Sequence, residues 1–243
     1  MSCNKKILNF SSINSILAIL RAKKYIIYKE PFKLNIIGVR NNLLNPKNFD
    51  DYIYVIYKNE SNNWIGYRYN ATTDPSTKYL IKGGFKDPNK GTAILPGGQY
   101  VDTWELGPHG QTGYTALRQQ KNLCVYRDYN RDDILNFNIE NKDCGKFGIN
   151  IHRGKIAGAD DGEGNTSIIG DYSAGCQVFQ NSYCFDEFIN LTQEQRSRYG
   201  NKFTYTLIDK SLRNKFLFKR LTFVSGISLG ILLIYLGIRK TKK

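Results

Sequence analysis

The sequence predicts a mostly β (β-rich α+β) domain followed by a C-terminal transmembrane helix. Short runs of β-branched and aromatic residues, separated by turn-forming residues, recur between residues 25 and 135. Little of that region shows the periodicity of roughly 3.6 residues that is typical of an amphipathic helix. Near the C-terminus, an uncharged run of 18 residues has the length needed to cross a bilayer. These three observations define the predicted fold class.

Residues 1–24 predict an N-terminal amphipathic helix. Its apolar positions share one helical face and are Ile13, Ile16, Leu17 and Leu20. Either Ser11 or Ser12 supplies the N-cap. Two lysines before an apolar run also resemble the start of a signal peptide, but polar residues interrupt the run and no clean cleavage site follows it. We therefore expect a helix that packs on the domain or lies on its surface.

Residues 25–210 are expected to form one domain, because no internal repeat or low-complexity segment divides them. Four runs have strand composition, and they are residues 25–28, 52–57, 64–69 and 123–126. Segments rich in Gly, Pro and Asn lie between the runs and predict turns. A helical pattern over residues 186–198 predicts the end of the domain.

The composition gives a formal net charge of +14 in 243 residues, with 41% hydrophobic residues. This balance allows a sizeable core and predicts attraction to polyanions such as nucleic acid, acidic lipid or anionic cell-wall polymers. The sequence has no recognisable nucleic-acid-binding motif, so nucleic acid is not expected as a partner. Five cysteines form an odd set in a chain of this length, and they do not predict a disulfide framework.

The C-terminal segment predicts a membrane anchor. Residues 211–220 form a basic linker, residues 221–238 the predicted transmembrane helix, and residues 239–243 a basic tail. At about 1.5 Å per residue, the helix would be about 27 Å long, close to the thickness of the hydrocarbon core. The alternative is a buried core helix. Basic residues on both sides of the run leave the orientation in the membrane open.

One histidine and one cysteine lie in two apolar runs of strand composition. His152 belongs to residues 147–154, and Cys176 belongs to residues 172–179. Only a thiolate attacks a carbonyl efficiently, so an imidazole that takes the thiol proton would activate Cys176. Gly175 suits a tight turn where substrate approaches the backbone. The pattern predicts a nucleophile and its base, although a lone cysteine is more often a small buried hydrophobe.

The order of these residues excludes two classes of cysteine hydrolase. The sequence has only two histidines, His109 and His152, and neither follows Cys176. Papain-like and NlpC/P60-type hydrolases have the cysteine before the histidine. His109 lies in a loop by composition, where it either reaches the site to bind substrate or is an exposed loop residue.

Residues 152–154 (His-Xaa-Gly) and 173–176 (Ser-Xaa-Gly-Cys) resemble the L,D-transpeptidase (YkuD) family. Residues 91–100 are similar to the Thr-Pro-Xaa-Gly-Xaa-Phe segment that precedes the histidine in that family. The chain is also similar to divergent bacteriophage versions of the domain. The resemblance covers roughly residues 35–191. It implies a mostly β, L,D-transpeptidase-like sandwich that cross-links or trims peptidoglycan stem peptides through a cysteine acyl-enzyme.

The resemblance also implies roles for individual residues. Cys176 is the nucleophile, His152 is the base, and the backbone carbonyl of Arg153 orients the imidazole. Ser173 and Gly175 shape the nucleophile turn and its oxyanion site. The residues expected to contact substrate are His109, Tyr172 and Gln177. Two family side chains are missing: Ala174 stands in place of a second histidine, and Gln177-Val178 replaces an Ile-Arg pair whose arginine binds the substrate carboxylate.

Neither a metal nor another cofactor is expected. Asp128, Asn130 and Asp132 occupy positions one, three and five of a calcium-loop pattern, but Asp133 and Ile139 replace its glycine and glutamate. We therefore expect an acidic surface turn. The two histidines are far apart in sequence and no clustered cysteines accompany them, so a zinc site is not expected.

Two functional hypotheses follow. The first is a membrane-anchored cysteine acyltransferase or peptidoglycan peptidase, which would be a transferase if an amine resolves the acyl-enzyme and a hydrolase, as in an endolysin, if water does. The second is a non-catalytic membrane or virion structural protein that binds the cell wall, and the missing family side chains favour it. In both cases the expected location is the host cell envelope or a virion.

Overall fold

Twelve strands and three α-helices make up the part of the chain described by the computed structural model, which covers residues 3–41, 46–110, 113–154, 166 and 168–209. The strands are β1 (Lys6–Ile7), β2 (Asn35–Arg40), β3 (Asp51–Lys58), β4 (Trp64–Thr72), β5 (Thr92–Ile94), β6 (Gly98–Pro108), β7 (Thr115–Gln119), β8 (Leu123–Asp128), β9 (Lys142–Gly145), β10 (Ile151–Arg153), β11 (Gln177–Phe179) and β12 (Phe203–Asp209). The helices are α1 (Phe10–Ala22), α2 (Thr77–Lys82) and α3 (Ser182–Tyr199), with a short 3-10 helix at Ile139–Asn141.

Nine strands form one sheet in the order β1-β4-β11-β10-β7-β6-β12-β2-β3, and β3 pairs in addition with β4. All of these strands except β1 therefore close into an eight-stranded barrel. β4 makes closure possible, because it is nine residues long and pairs with β3 on one edge and with both β1 and β11 on the other. The prediction of a mostly β domain is confirmed.

The predicted sandwich was wrong. One closed sheet replaces two packed sheets, and closure leaves fewer unpaired strand edges than a sandwich has. A second, three-stranded sheet in the order β5-β8-β9 lies apart from the barrel sheet.

The main core contains large aromatic side chains from several barrel strands. Trp104, Tyr205 and Phe179 are all fully buried, and the Trp104 indole N–H donates a hydrogen bond to the carbonyl of Ile149. Two phenylalanines of α3 extend this core, since Phe188 stacks on Phe179 with ring centroids 4.9 Å apart and Phe185 packs beside them. These contacts fix α3 directly after the strand β11.

The N-terminal helix is present, but its cap differs from the prediction. The side chain of Asn9, rather than Ser11 or Ser12, accepts a hydrogen bond from the backbone N–H of Ser12 at 2.9 Å. Ile13, on the buried face, packs against Gly66 of β4. Residues 25–28 do not form the predicted strand.

Two disulfides overturn the expectation that the cysteines form no framework. Cys3 bonds to Cys184 of α3, and Cys124 bonds to Cys144. Cys124 and Cys144 lie directly opposite each other in the β8–β9 ladder. The sequence alone does not reveal the Cys3–Cys184 pair, because its two cysteines are 181 residues apart. Among the described residues, Cys176 is the one free cysteine.

The predicted membrane anchor is also corrected. Within the described ranges, no helix is both long enough and apolar enough to cross a bilayer. α1 has 13 residues, and the 18-residue helix α3 contains several charged side chains. The assignment of the protein to a membrane is therefore not supported. The segment that carried this prediction, residues 221–238, and its basic flanks at 211–220 and 239–243 lie outside the described residues.

Candidate cysteine–histidine site

The turn before β11 holds Cys176 in a fixed backbone geometry. Gly175 has φ +116°, and a Cβ atom there would lie 2.4 Å from the carbonyl oxygen of Ala93. Ser173 ties the turn together, because its hydroxyl lies 2.6 Å from the Asp74 carbonyl and 2.9 Å from the Cys176 carbonyl. The backbone N–H of Gly175 donates to the same hydroxyl oxygen at 3.3 Å. The two residues predicted to shape this turn are thus placed in it.

A buried ionic network supports the turn from the end of β4. Arg40 is fully buried and donates hydrogen bonds to the Asp74 carboxylate and to the carbonyl of Thr73. Asp51 is also buried and accepts from the backbone N–H and the hydroxyl of Thr73. Burial raises the pKa of Asp74 to about 8, although the nearby Arg40 guanidinium acts in the opposite direction. One guanidinium thus serves two buried carboxyl groups, and burial raises the pKa of both Asp51 and Asp74.

Strands β10 and β11 run parallel and bring the histidine and cysteine segments together. His152 lies beside Val178, and Ile151 beside Gln177, so Asn150 lies beside Cys176 at the start of both strands. Ile151 and Phe179 point into the main core. Because side chains alternate along a strand, Asn150, His152 and Cys176 face the opposite side.

The sulfur of Cys176 contacts the backbone that leads into β10. Its Sγ atom lies 3.4 Å from the backbone nitrogen of Asn150 and 3.5 Å from the carbonyl oxygen of Gly148. Burial raises the pKa of the Cys176 thiol to about 11, and the Asn150 N–H partly counteracts this by favouring the thiolate. Among the described residues, no hydrogen bond joins Sγ to an imidazole. The resting cysteine is therefore a neutral thiol.

His152 is nearly buried, with 4% of its surface exposed. Its Nδ1 atom lies 2.8 Å from the carbonyl oxygen of Arg153, the contact that the family resemblance implied, and the backbone carbonyl of Tyr172 is a further hydrogen-bond partner of the ring. A neutral imidazole has one N–H, so it can donate to only one of these two carbonyls; with the proton on Nδ1, the other ring nitrogen, Nε2, carries the lone pair. Burial, followed by the neighbouring His109, lowers the pKa of His152 to about 3, so the ring is neutral at physiological pH.

His109 belongs to this site rather than to an exposed loop. It follows β6 directly, and its ring stacks on that of His152 with centroids 4.4 Å apart and an interplanar angle of 23°. The side-chain nitrogen of Asn150 lies 3.3 Å from His109 Nδ1. Burial lowers the pKa of His109 as well, and the charge of Arg118 adds to this effect. Composition alone suggested a loop, because the contacts with His152 and Asn150 come from distant segments.

A cavity of about 1060 Å³ opens in front of these groups. Its wall includes Cys176, both histidines, Tyr114, Tyr172 and Phe147. Five basic and three acidic residues also line it. A space of this size accommodates a peptide-sized ligand, and the excess of basic residues favours a ligand with anionic groups.

The remaining predicted site residues lie in different surroundings. Tyr172 lines the cavity, as a substrate contact should. Gln177 does not, because it is fully buried and accepts a hydrogen bond from the Tyr205 hydroxyl at 2.6 Å. The prediction that Gln177 binds substrate is therefore corrected. Gln177 lies one position after Cys176, so its side chain points to the core side of β11 while that of Cys176 points to the cavity.

Three contributors to the site had not been selected from the sequence. They are Asn150, Tyr114 and the pair Arg40–Asp74. Asn150 could have been found, because it lies immediately before β10 and two positions before His152, so it shares the face of His152. Tyr114 packs under the Arg153 guanidinium, which lies 4.4 Å from its ring centroid. Nothing in the local sequence indicates that Arg40 and Asp74 meet, since 34 positions separate them.

The described part of the chain contains no group of three or more His, Cys, Asp or Glu side chains that could bind a metal ion. The segment with the calcium-loop pattern makes hydrogen bonds within itself, such as that from the Asn130 amide to Asp132 at 2.8 Å.

The fold and site thus define a β-barrel protein with a single free thiol and two stacked imidazoles on the wall of one cavity. Comparisons with protein-family models, with curated proteins and with solved structures found no match to this chain.

Proposed function

We propose that the protein is a cysteine acyltransferase or peptidase of the L,D-transpeptidase type that acts on peptidoglycan stem peptides. One observation carries the proposal: the one free thiol among the described residues lies on a cavity wall beside two imidazoles, while the other four cysteines are held in disulfides. A protein that retains a single reduced cysteine in such a place fits nucleophilic catalysis.

The arrangement supports a defined sequence of steps. The unprotonated Nε2 of His152 accepts the Sγ proton as the thiolate attacks the peptide carbonyl carbon, and a C–S bond forms. The backbone N–H of Asn150, 3.4 Å from Sγ, stabilises the developing thiolate. The tetrahedral intermediate then expels the amine, which takes the proton from His152, and an acyl-enzyme remains. An amine acceptor restores a peptide bond, whereas water releases an acid.

The cavity supports the choice of substrate. Stem peptides carry free carboxylates, and basic residues exceed acidic ones in the cavity lining. The two disulfides also fit this substrate, because disulfides form and persist in oxidising compartments and peptidoglycan lies outside the cytoplasm.

The test is muropeptide mass profiling of purified peptidoglycan incubated with the full-length protein. We expect new fragments or new cross-links, and we expect them to disappear in Cys176→Ala. Cys144 lines the same cavity but is oxidised, so a Cys124→Ser/Cys144→Ser double variant is the matched control and should retain activity if it folds. An unchanged profile with wild-type protein would reject the proposal.

The second candidate is a wall-binding protein without catalytic activity. It is favoured by the absence, among described residues, of a hydrogen bond between Cys176 Sγ and either imidazole. This candidate predicts that the wild-type protein and Cys176→Ala both sediment with peptidoglycan and leave its muropeptides unchanged. A carbapenem adduct on Cys176 in intact-mass analysis would argue against it.

A further inference from the structure

The side chain of Gln119, the last residue of β7, makes five hydrogen bonds to backbone groups. Its nitrogen, Nε2, donates to the carbonyls of Lys121 and Gly145 at 2.9 and 3.0 Å. Its oxygen, Oε1, accepts at 2.9–3.1 Å from the N–H groups of three consecutive residues, Phe147, Gly148 and Ile149. These partners fix the orientation of the amide, because the reverse orientation would set donors against donors.

The contacts of Gln119 hold a segment that has no regular structure of its own. Residues 146–150 connect β9 to β10 and belong to neither a helix nor a strand. Successive backbone N–H groups that face one point form a concavity suited to an anion, and here a neutral amide oxygen fills it. Gln119 is only 7% exposed, so water does not replace it. The shape of this segment therefore depends on one buried side chain.

The same segment contacts the thiol of Cys176. The Ile149 N–H that Gln119 binds and the carbonyl of Gly148 belong to one peptide unit, and in a trans peptide these two groups point in opposite directions. Holding the N–H towards Gln119 therefore turns the Gly148 carbonyl away from Gln119. That carbonyl accepts the S–H of Cys176, with Sγ 3.5 Å from its oxygen.

Gln119 also anchors the second backbone group that meets the sulfur. Its own backbone N–H donates to Asn150 Oδ1 at 3.0 Å. The backbone N–H of Asn150 donates to Cys176 Sγ, with the nitrogen 3.4 Å from the sulfur. Both backbone contacts of Sγ are thus set by Gln119, one through the Gly148–Ile149 peptide and the other through the side chain of Asn150.

From this geometry we infer that Gln119 is a positioning residue of the site, which holds residues 145–150 against Cys176. The Gly148 carbonyl so placed binds the proton of the resting thiol, and the Asn150 N–H so placed meets the thiolate when His152 takes that proton. Gln119 acts through these backbone groups alone. The inference deepens the proposed function and rests on it for the acyl-transfer chemistry, whereas its test follows the thiol itself.

The test is iodoacetamide alkylation of the full-length protein as a function of pH, read by intact mass. Gln119→Met keeps a side chain of similar length but removes the amide, so three N–H groups lose their acceptor and turn towards water. The segment then leaves the sulfur, and the burial that raises the thiol pKa from 9.0 to about 11 decreases. We expect alkylation at pH 7 to become at least about tenfold faster, with the pH profile shifted towards that of an ordinary cysteine.

Two variants and a site control accompany this measurement. Gln119→Glu keeps an acceptor oxygen for the three N–H groups, so alkylation should be no more than about threefold faster than in wild type. Gln195→Met is the matched control, because Gln195 is also buried, accepts from the Leu34 N–H at 2.8 Å and donates to the Lys202 carbonyl at 3.0 Å. It should lower the temperature of unfolding and leave alkylation unchanged. Cys176→Ala identifies the site of reaction.

Hydrogen exchange in wild-type protein tests the inference without a variant, and so it decides the matter even if Gln119→Met fails to fold. The amides of residues 147–149 should exchange slowly although they lie outside any strand. Fast exchange of these three amides would overturn the inference. Unchanged alkylation in Gln119→Met, or an equal acceleration in Gln195→Met, would also overturn it. If the expected results are obtained but muropeptides remain unchanged, the inference stands and the proposed substrate is wrong.

Discussion

The reactivity of Cys176 as a function of pH distinguishes an activated cysteine from a resting thiol. The structure raises the thiol pKa from an ordinary 9.0 to about 11. Each pKa unit changes the thiolate fraction tenfold, so at pH 7 about 10⁻⁴ of the protein carries a thiolate, compared with about 10⁻² for an ordinary cysteine. Alkylation near neutral pH should therefore be about 100-fold slower than for an exposed cysteine, and it should rise about tenfold per pH unit up to about pH 11.

The assay is iodoacetamide alkylation of full-length protein between pH 6 and pH 10, read by intact mass, with glutathione as the reference thiol. The disulfides leave Cys176 as the one reactive thiol of the described chain. A preformed thiolate–imidazolium pair would give a fast rate that is level from about pH 6 upward. Such a plateau would refute the neutral resting state derived from the burial of both groups.

Three further predictions concern stability. The pKa of His152 is lowered to about 3 in the folded state, so its contribution to stability is complete above the unfolded pKa of about 6.5 and is lost as the pH falls towards 3. The free energy of unfolding, measured in urea, should therefore be about 3 kcal/mol lower at pH 4 than at pH 7. His152→Gln should flatten this dependence. Gly175→Ala should destabilise the fold by more than Gly113→Ala, since both glycines have positive φ but only Gly175 faces a neighbouring carbonyl at 2.4 Å; equal losses would rule out the steric cause. Cys124→Ser/Cys144→Ser should cost about 3 kcal/mol, measured by denaturant unfolding beside reduced wild type, which should lose at least as much.

Local pattern predicted three of the strands but missed others, among them the longest strand, the 11-residue β6. β3, β4 and β8 all cover runs chosen from their β-branched and aromatic content. The closure of the barrel could not be read from these runs, because it depends on β4 pairing with β11, more than 100 positions away. The same holds for the bond from Cys3 to Cys184.

The site was predicted in part for a similar reason. The chemistry of cysteine and histidine pointed to Cys176 and His152, and the resemblance to the L,D-transpeptidase family implied the contact between the imidazole and the Arg153 carbonyl. The assignment of Gln177 failed because neighbouring strand positions point to opposite sides, and the register that decides which side faces the cavity is a property of the whole sheet.

The neutral resting state of the pair does not prevent catalysis. With pKa values near 11 for Cys176 and 3 for His152, moving the proton between them costs about 11 kcal/mol before any attraction is counted. If attack on the substrate brings the two opposite charges to about 4 Å, they recover about 4 kcal/mol at an effective dielectric constant of about 20. The remaining cost, roughly 7 kcal/mol, is well below the barrier of about 16 kcal/mol that corresponds to a turnover of about 10 per second. The ion pair is therefore accessible as a transient species, and proton transfer is expected to accompany attack on the carbonyl rather than precede it.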